Sequence, residues 1–290
     1  MSTLVTAVEA GSFSAASRKL GMPLPTVSRK VAELEAHIGT RLVKRTSRRL
    51  ALTDAGRSYI EACRKILEDI EEAERLAAGE YRAPRGELRI TAPIVFGRVH
   101  VLPVVTEFLK EYPEIDVQLR LADWIVNLIE EHIDVAVRIG ELADSALVAR
   151  KVGATRPVVC GSPGYFTRKG LPQEPADLAD HDCINFEGLS SRQAWSFQDP
   201  NGTLAVSIHS RLSVNTAEAA IDAAVAGAGM TRVLSYQIIE ELRAGALRTV
   251  LQDFEPAAMP VNLVYAGGRL LPQKLRAFLD FAVSRLGARL

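Results

Sequence analysis

Ten of the first 58 residues are Lys or Arg (18, 19, 29, 30, 41, 44, 45, 48, 49 and 57), and four are Asp or Glu (9, 33, 35 and 54), a surplus of six positive charges. The whole chain of 290 residues is neutral, with 35 basic and 35 acidic side chains, so the remainder carries the opposite excess. Clustered guanidinium and ammonium groups neutralise phosphate, and a domain that grips a polyanion must gather them. Other chemistry is poorly provided for. The five histidines (His37, His100, His132, His181, His209) show no metal-ligand spacing, and no Gly-x-Ser-x-Gly, P-loop or dinucleotide glycine pattern occurs. Cys63, Cys160 and Cys183 are odd in number and far apart, which suits neither a disulfide framework nor a metal site. Buried inert thiols are favoured over a redox switch between Cys160 and Cys183. Ser162, in Gly-Ser-Pro-Gly, reads as a turn and helix cap. No enzyme, no metal and no cofactor is expected.

The cations need elements to aim them. Thr3–Ala10 has helical spacing of Leu4, Val5 and Val8, and Gly11 stops it. A second helix covers about Ser14–Leu20, capped by Ser12 or Ser14, with Ala16 small enough for a close neighbour. Gly21 suits the left-handed position of a sharp helix–helix turn. A third helix begins near Pro23–Thr26, where prolines are tolerated, and runs to about Ile38. Val27, Val31, Leu34 and Ile38 make its buried face, which leaves Thr26, Ser28, Arg29 and Lys30 outside. Arg41–Arg45 and Arg49–Thr53 read as two short strands around a basic tip. Helix, turn, helix and basic hairpin, with the motif over 12–31, form a winged helix-turn-helix, and they point to double-stranded DNA. Thr53 or Asp54 caps a helix of about 25 residues that ends near Gly79. In it Tyr59, Cys63, Ile66, Ile70, Ala73 and Ala77 fall at heptad spacing, the seam of a dimer arm.

Gly79, Pro84 and Gly86 mark a linker, after which strands alternate with helices. Strands are expected at Leu88–Ala92, Asp116–Ala122 and Asp134–Ile139, and helices at Val95–Tyr112 and Ile125–His132, a βαβαβ series that implies a parallel sheet. A second α/β region holds strands at Val158–Cys160, Cys183–Phe186, Trp195–Phe197, Val206–Val214 and Met230–Val233, with helices at Ala217–Ala226 and Tyr236–Ala244. Val261–Tyr265 is a strand, and Gln273–Leu286 is an amphipathic helix. No apolar run nears the roughly 18 residues of a membrane span, and the N-terminus lacks a basic leader, so a cytoplasmic protein without a membrane partner is expected.

The combination Glu-Ala-Gly-Ser-Phe-Ser-Ala-Ala (9–16), Val-Ser-Arg (27–29), Leu-Glu (34–35), Gly39, Arg41-Leu42, Arg45 and Leu-Thr-Asp-Ala-Gly (52–56) resembles the LysR-type transcriptional regulators. The likeness extends over essentially the full length, and Asp-Val-Ala-Val-Arg-Ile-Gly (134–140), Leu-Val-Ala-Arg (147–150) and Ser-Pro-Gly-Tyr (162–165) resemble one branch of them. The resemblance implies a winged helix-turn-helix (1–53), a dimerising linker helix (54–79) and a two-lobed α/β effector domain of the type 2 periplasmic-binding-protein kind (80–290). Lobe I is placed at 87–158 plus 266–290 and lobe II at 161–261, joined by strands crossing near Val158–Gly161 and Asn262–Ala266. Three positions depart from the family pattern. The start is shorter than usual and reads as trimmed or mis-set, Pro23-Leu24 replaces a Ser-Gln pair, and Val43 replaces Phe.

The expected DNA contacts are Pro25, Thr26, Ser28, Arg29 and Lys30 on the third helix and Arg45, Arg48 and Arg49 on the wing. The expected operator is an inverted repeat, bound by a dimer or a dimer of dimers, with room for RNA polymerase as a further partner. The resemblance also implies a small-molecule effector between the lobes, where strand ends and helix N-termini meet. Thr91, Phe96, Gly97, Arg98, Arg138, Ile139, Gly140, Asn215, Thr216, Gly229 and Thr231 are the candidates. Phe96 and Trp124 favour core packing over ligand stacking. Arg138 suits either an anionic effector or an ion pair with Asp123 or Asp134. A DNA-binding regulator without an effector is the alternative.

Overall fold

Ser12 is extended, and its hydroxyl accepts a hydrogen bond from the Ala15 N–H at 3.1 Å, which starts α2 (Phe13–Leu20) directly after α1 (Ser2–Glu9). The computed structural model that shows this describes residues 1–290 apart from 46–49, 78–82, 143–146, 190–193, 201 and 268–270, without the side chains of 45, 65, 68, 69, 71–73 and 75–77. Gly21 ends α2 at φ 61°, and the Met22 N–H reaches back to the Ser17 carbonyl at 3.1 Å. This left-handed cap turns the chain sharply into α3 (Leu24–Ile38). Ala7, Ala16 and Val27 are fully buried where α1, α2 and α3 meet, as small side chains allow. A second cluster joins Leu4, Val5, Val31, Leu42, Val43, Ile60 and Cys63. Leu34 is only half-buried and Ile38 is exposed, unlike the four-residue buried face expected. The eight-residue α1 spans roughly 12 Å at 1.5 Å per residue and cannot cover the whole of the 15-residue α3.

The wing strands β1 (Val43–Arg45) and β2 (Leu50–Leu52) pair antiparallel, with Val43 opposite Leu52 and Arg45 opposite Leu50. They are fastened at their base. The Glu35 carboxylate accepts from the Leu42 and Val43 N–H groups at 2.7 and 2.9 Å. The Thr53 hydroxyl donates to the Arg41 carbonyl and accepts from the Gly56 N–H, which caps α4 (Asp54–Ala77). A Cβ on Gly56 would lie 2.0 Å from the Leu42 carbonyl oxygen, so only glycine lets α4 pass the wing this closely.

The chain divides into two units, Met1–Ala83 and Pro84–Leu290. The second contains two five-stranded sheets. The first has the order β4-β3-β5-β14-β6, built from β3 (Gly86–Ala92), β4 (Ile115–Leu121), β5 (Val135–Ile139), β6 (Leu147–Thr155) and β14 (Met259–Ala266). The other has the order β11-β8-β12-β7-β13, built from β7 (Pro157–Gly161), β8 (Cys183–Phe186), β11 (Ser210–Val214), β12 (Met230–Leu234) and β13 (Arg248–Val250). β3 runs parallel to β4 and β5, as the βαβαβ pattern predicts, but β14 returns antiparallel between β5 and β6. The sheets are therefore mixed, not all-parallel. The crossings also shift. The chain leaves the first sheet at Arg156 and rejoins it before Met259, so Val158 belongs to the second lobe and all of β14 to the first.

Four segments differ locally from the linear pattern. Residues 125–132 form no helix. The Asn127 side chain accepts from the Ile129 and Glu130 N–H groups, the Arg138 guanidinium takes the Val126 carbonyl, and His132 is left-handed at φ 52°. These bonds replace those of a helix, and Ile125 and Ile129 stand 85% and 70% exposed. Val206–Val214 divides between β10 (Gly202–Ser207), which pairs with β9 (Ala194–Asp199) as a separate hairpin, and β11. Tyr236–Ala244 divides into a tight turn, Ser235–Ile238, and α9 (Ile239–Arg243). The helix expected at Val95–Tyr112 runs as α5 (Ile94–Phe96), one wide π turn (Gly97–Val101) and α6 (Leu102–Glu111). α7 (Pro163–Lys169), α8 (Ala217–Val225) and α10 (Gln273–Gly287) complete the unit. On α10, Leu275, Phe278, Leu279 and Ala282 are buried as expected.

Candidate functional site

The N-terminal half of α3 presents an exposed cationic face on the first unit. Val27 and Val31 anchor the opposite side, which leaves Leu24, Pro25, Arg29 and Lys30 exposed and Thr26 and Ser28 half-buried. Arg29 Nε lies 3.6 Å from Glu33 Oε1 in a solvent-exposed pair one helical turn apart. Such a pair is weak enough to exchange for a phosphate or a base edge. Lys44 is exposed on β1. The side chain of Arg45, and Arg48 and Arg49 entirely, lie outside the described residues.

The seam on α4 separates into two parts. Cys63 is fully buried and Tyr59 half-buried in the unit's own core, so these two positions pack within the unit. Ile66 and Ile70, one helical turn apart, are 44% and 46% exposed, two apolar side chains open to solvent. The side chains of Ala73 and Ala77 lie outside the described residues.

In the second unit a cavity of about 160 Å³ opens where the two sheets face each other. Its first-lobe wall comes from the end of β3 (Thr91, Ala92), from Pro93, from the segment 122–126, and from Val137, Arg138 and Ile139 of β5. The second lobe supplies Phe186, Gly188 and Leu189 after β8, and Leu234, Tyr236 and Gln237 at the end of β12. Met259 of β14 closes one side. Of the eleven effector candidates, Thr91, Arg138 and Ile139 line this cavity.

The other eight lie outside the lining, and six of them have structural work. Phe96 is fully buried and packs edge-on to Tyr236 at 5.3 Å between ring centroids. Gly97 is pressed onto Leu121, where a Cβ would approach to 2.1 Å. Arg98 and Asn215 are exposed away from the cavity lining. Gly140 ends β5 at φ 105°. Thr216 caps α8 through the Ala219 N–H at 3.3 Å. Gly229 admits the Asp182 carbonyl, and the buried Thr231 hydroxyl donates to the Ile184 carbonyl at 3.0 Å. Asp123, Trp124, Ile125, Tyr236 and Gln237 line the cavity without having been predicted to. The usable signal was their position directly after strand ends. Trp124, expected in the core, is 72% exposed at the cavity rim.

Burial lowers the proton affinity of the Arg138 guanidinium. Among the described residues no carboxylate is in ion-pair range of it. Both expected partners serve backbone amides instead: Asp123 Oδ1 accepts from the Ile94 N–H and Asp134 Oδ2 from the Arg89 N–H, each at 2.9 Å. Burial raises the pKa of Asp123, the Ile94 N–H opposes the rise, and Glu218 adds to it. Tyr236 is pushed well above the ordinary phenol range by burial.

The two cysteines of this unit lie in different packing layers. Cys160 belongs to the main core and Cys183 to the cluster behind the second sheet with Tyr165 and Trp195. Burial pushes both thiols up to about 12. No described helix is long and apolar enough to cross a membrane.

Comparison with known proteins bears on both units. The family model of the LysR substrate binding domain matches residues 82–287, and that of the bacterial regulatory helix-turn-helix protein, lysR family, matches residues 1–57. An HTH-type transcriptional regulator of Xanthomonas campestris pv. campestris is 39% identical over 286 residues, 97% of this chain and 83% of the relative. The regulator CrgA of Neisseria meningitidis is 33% identical over 294 residues, 100% of this chain and 97% of the relative. The structure of CrgA matches with a TM-score of 0.64 at 32% identity, covering 99% of this chain and 97% of that one. Full-length AphB, a Vibrio cholerae virulence activator, matches with a TM-score of 0.63 at 27% identity, covering 98% and 97%. With a DNA-binding module and an effector-binding module matched in order along its length, the chain belongs to the LysR-type family of transcriptional regulators.

Proposed function

We propose that the protein binds an inverted-repeat operator as a dimer or a dimer of dimers, and that a small anion entering the cleft changes that binding. The observation that carries the effector half is Arg138, a half-buried guanidinium on the cavity wall with no carboxylate partner among the described residues. Such a charge is costly to leave uncompensated, and an anionic ligand compensates it.

The division of labour on DNA follows from exposure. Ser28, Arg29 and Lys30 reach base edges or adjacent phosphates, and Pro25 and Thr26 meet thymine methyls or backbone. Arg45, Arg48 and Arg49 on the wing position the domain on phosphates. Ile66 and Ile70 meet their counterparts in a second copy, which sets two α3 helices about one DNA turn apart, roughly 34 Å or a multiple. RNA polymerase is the natural further partner of such an assembly at a promoter.

The test is footprinting and mobility shift with the DNA beside the protein's own gene, with and without a panel of small carboxylates. A carboxylate that alters the footprint of the natural protein should have no effect on Arg138→Gln, which still binds DNA. An undiminished response in Arg138→Gln would refute the assignment of the anion site.

A further inference from the structure

Two opposite charges share the cavity wall without meeting. Arg138 reaches it from β5, and Asp123 from the segment that follows β4. Both are half-buried. Each has one backbone partner, the Val126 carbonyl for Arg138 and the Ile94 N–H for Asp123. Among the described residues neither pairs with the other or with any third charge, and Asp123 Oδ2 accepts no hydrogen bond. Glu218, in the first turn of α8 on the facing lobe, adds negative potential at Asp123.

Charges that lose water are normally paired, because leaving one uncompensated costs several kcal/mol. Had Arg138 and Asp123 only to neutralise each other, contact between them would be the cheaper arrangement. A simple anion satisfies Arg138 but meets Asp123 and Glu218 as like charges, and a simple cation has the reverse difficulty. A molecule that carries both charges satisfies the two ends together. Its size is bounded. The cavity of about 160 Å³ is close to the roughly 150 Å³ that accommodates one benzene ring. The rest of the lining is largely apolar, with Ile139, Phe186, Leu189, Leu234 and Met259 beside the polar Thr91, Tyr236 and Gln237.

We infer that the cleft binds a small zwitterion, a compact amino acid whose carboxylate pairs with Arg138 and whose ammonium group pairs with Asp123. This rests on the reading of the cleft as the effector site and narrows its ligand from anions in general to bipolar ones.

The test uses the full-length protein, with thermal unfolding and calorimetric titration as readouts. The probes are L-valine, L-proline, β-alanine and 4-aminobutyrate. Each is compared with its deaminated acid (3-methylbutanoate, propionate, butyrate, and for proline the carbocyclic analogue cyclopentanecarboxylate) and its decarboxylated amine (isobutylamine, pyrrolidine, ethylamine, propylamine). The series varies the separation of the charges, so it also measures the span between the two sites. At least one amino acid should bind about tenfold or more tighter than either fragment, as a charge-assisted bond at each end requires. Asp123→Asn keeps an oxygen for the Ile94 N–H and should lower that amino acid to the affinity of its deaminated acid. Arg138→Gln should weaken amino acid and acid alike, and Arg138→Lys should restore part of the loss, which separates charge from folding. Deaminated acids that bind as tightly as the amino acids, unaffected by Asp123→Asn, would overturn the zwitterion and leave the anion site standing. Amines that bind tightest, or no stabilisation by any probe, would overturn both.

Discussion

Gly56→Ala should separate the wing from the helix that follows it. The added Cβ would lie 2.0 Å from the Leu42 carbonyl oxygen and 2.9 Å from its carbon. Carbon and oxygen rarely approach closer than about 3.3 Å, so one backbone must move by roughly 1.3 Å. Leu42 has little freedom. Its N–H donates to Glu35 at 2.7 Å, its carbonyl accepts from the Thr53 N–H at 3.0 Å, and its side chain is fully buried. Gly56 is fastened in turn through the Thr53 hydroxyl at 2.9 Å. Overpacking costs about 1–3 kcal/mol, and loss of the Glu35 bond adds about 1.5–3 kcal/mol. The better helix propensity of alanine returns about 1 kcal/mol, which leaves a net loss of about 1.5–5 kcal/mol. For a unit of this size each kcal/mol is worth about 4–8 °C in Tm, so the DNA-binding unit should melt roughly 6–40 °C lower. Both tryptophans, Trp124 and Trp195, lie in the second unit. Tryptophan fluorescence therefore reports that unit, while helical circular dichroism reports α4 as well. The expected result is an early circular-dichroism transition, an unchanged fluorescence transition and loss of operator binding. Coincident transitions at the natural temperature, with normal DNA affinity, would refute the reasoning.

Other predictions address the remaining surfaces. Arg29→Ala should cost about 1–3 kcal/mol of operator affinity and relax selectivity, whereas Arg48→Ala should weaken all DNA alike and flatten the salt slope. Mobility shifts on operator and random DNA at several salt concentrations separate the two, and equal losses on both DNAs for Arg29→Ala would remove it as a base reader. Replacing Ile66 and Ile70 together with Lys should give a monomer by sedimentation that no longer binds the full operator tightly, with the second unit's melting unchanged. Cys160 and Cys183 should resist alkylation in the folded protein and react only on unfolding, since burial pushes both thiols up to about 12 against about 8.5 for a free thiol. Because the fold favours the protonated thiols, their contribution to stability is intact below about pH 8.5 and is lost as the pH rises towards 12. Rapid labelling of the native protein at neutral pH would contradict the burial.

Sequence alone determined the local pieces. Ser12 as a cap, Gly21 as a left-handed turn and the Val27–Val31 face of α3 depend on neighbours a few residues away, so they are legible in a linear pattern. The same holds for β3, β5, β8 and α10, whose apolar periods mark their buried faces. The charge asymmetry of the first 58 residues likewise needed no fold to be seen. Tertiary structure decided where the pieces meet. Residues 125–132 have apolar residues at helical spacing, yet Arg138, bonded to the Val126 carbonyl from a neighbouring strand, helps to draw them into a rim. Cys63 sits at heptad spacing but is claimed by its own domain's core, because α4 lies against Leu4, Val5 and Leu42 before it can face a partner. β14 enters between β5 and β6 from more than a hundred residues away, which no local period announces. The cavity is the extreme case. The strand pattern marks Arg138 as a site residue, but offers Asp123 only as a partner for it. That the two stand on one wall unpaired depends on hydrogen bonds to Val126 and Ile94, which arise only when the strands and the π-turn helix have packed.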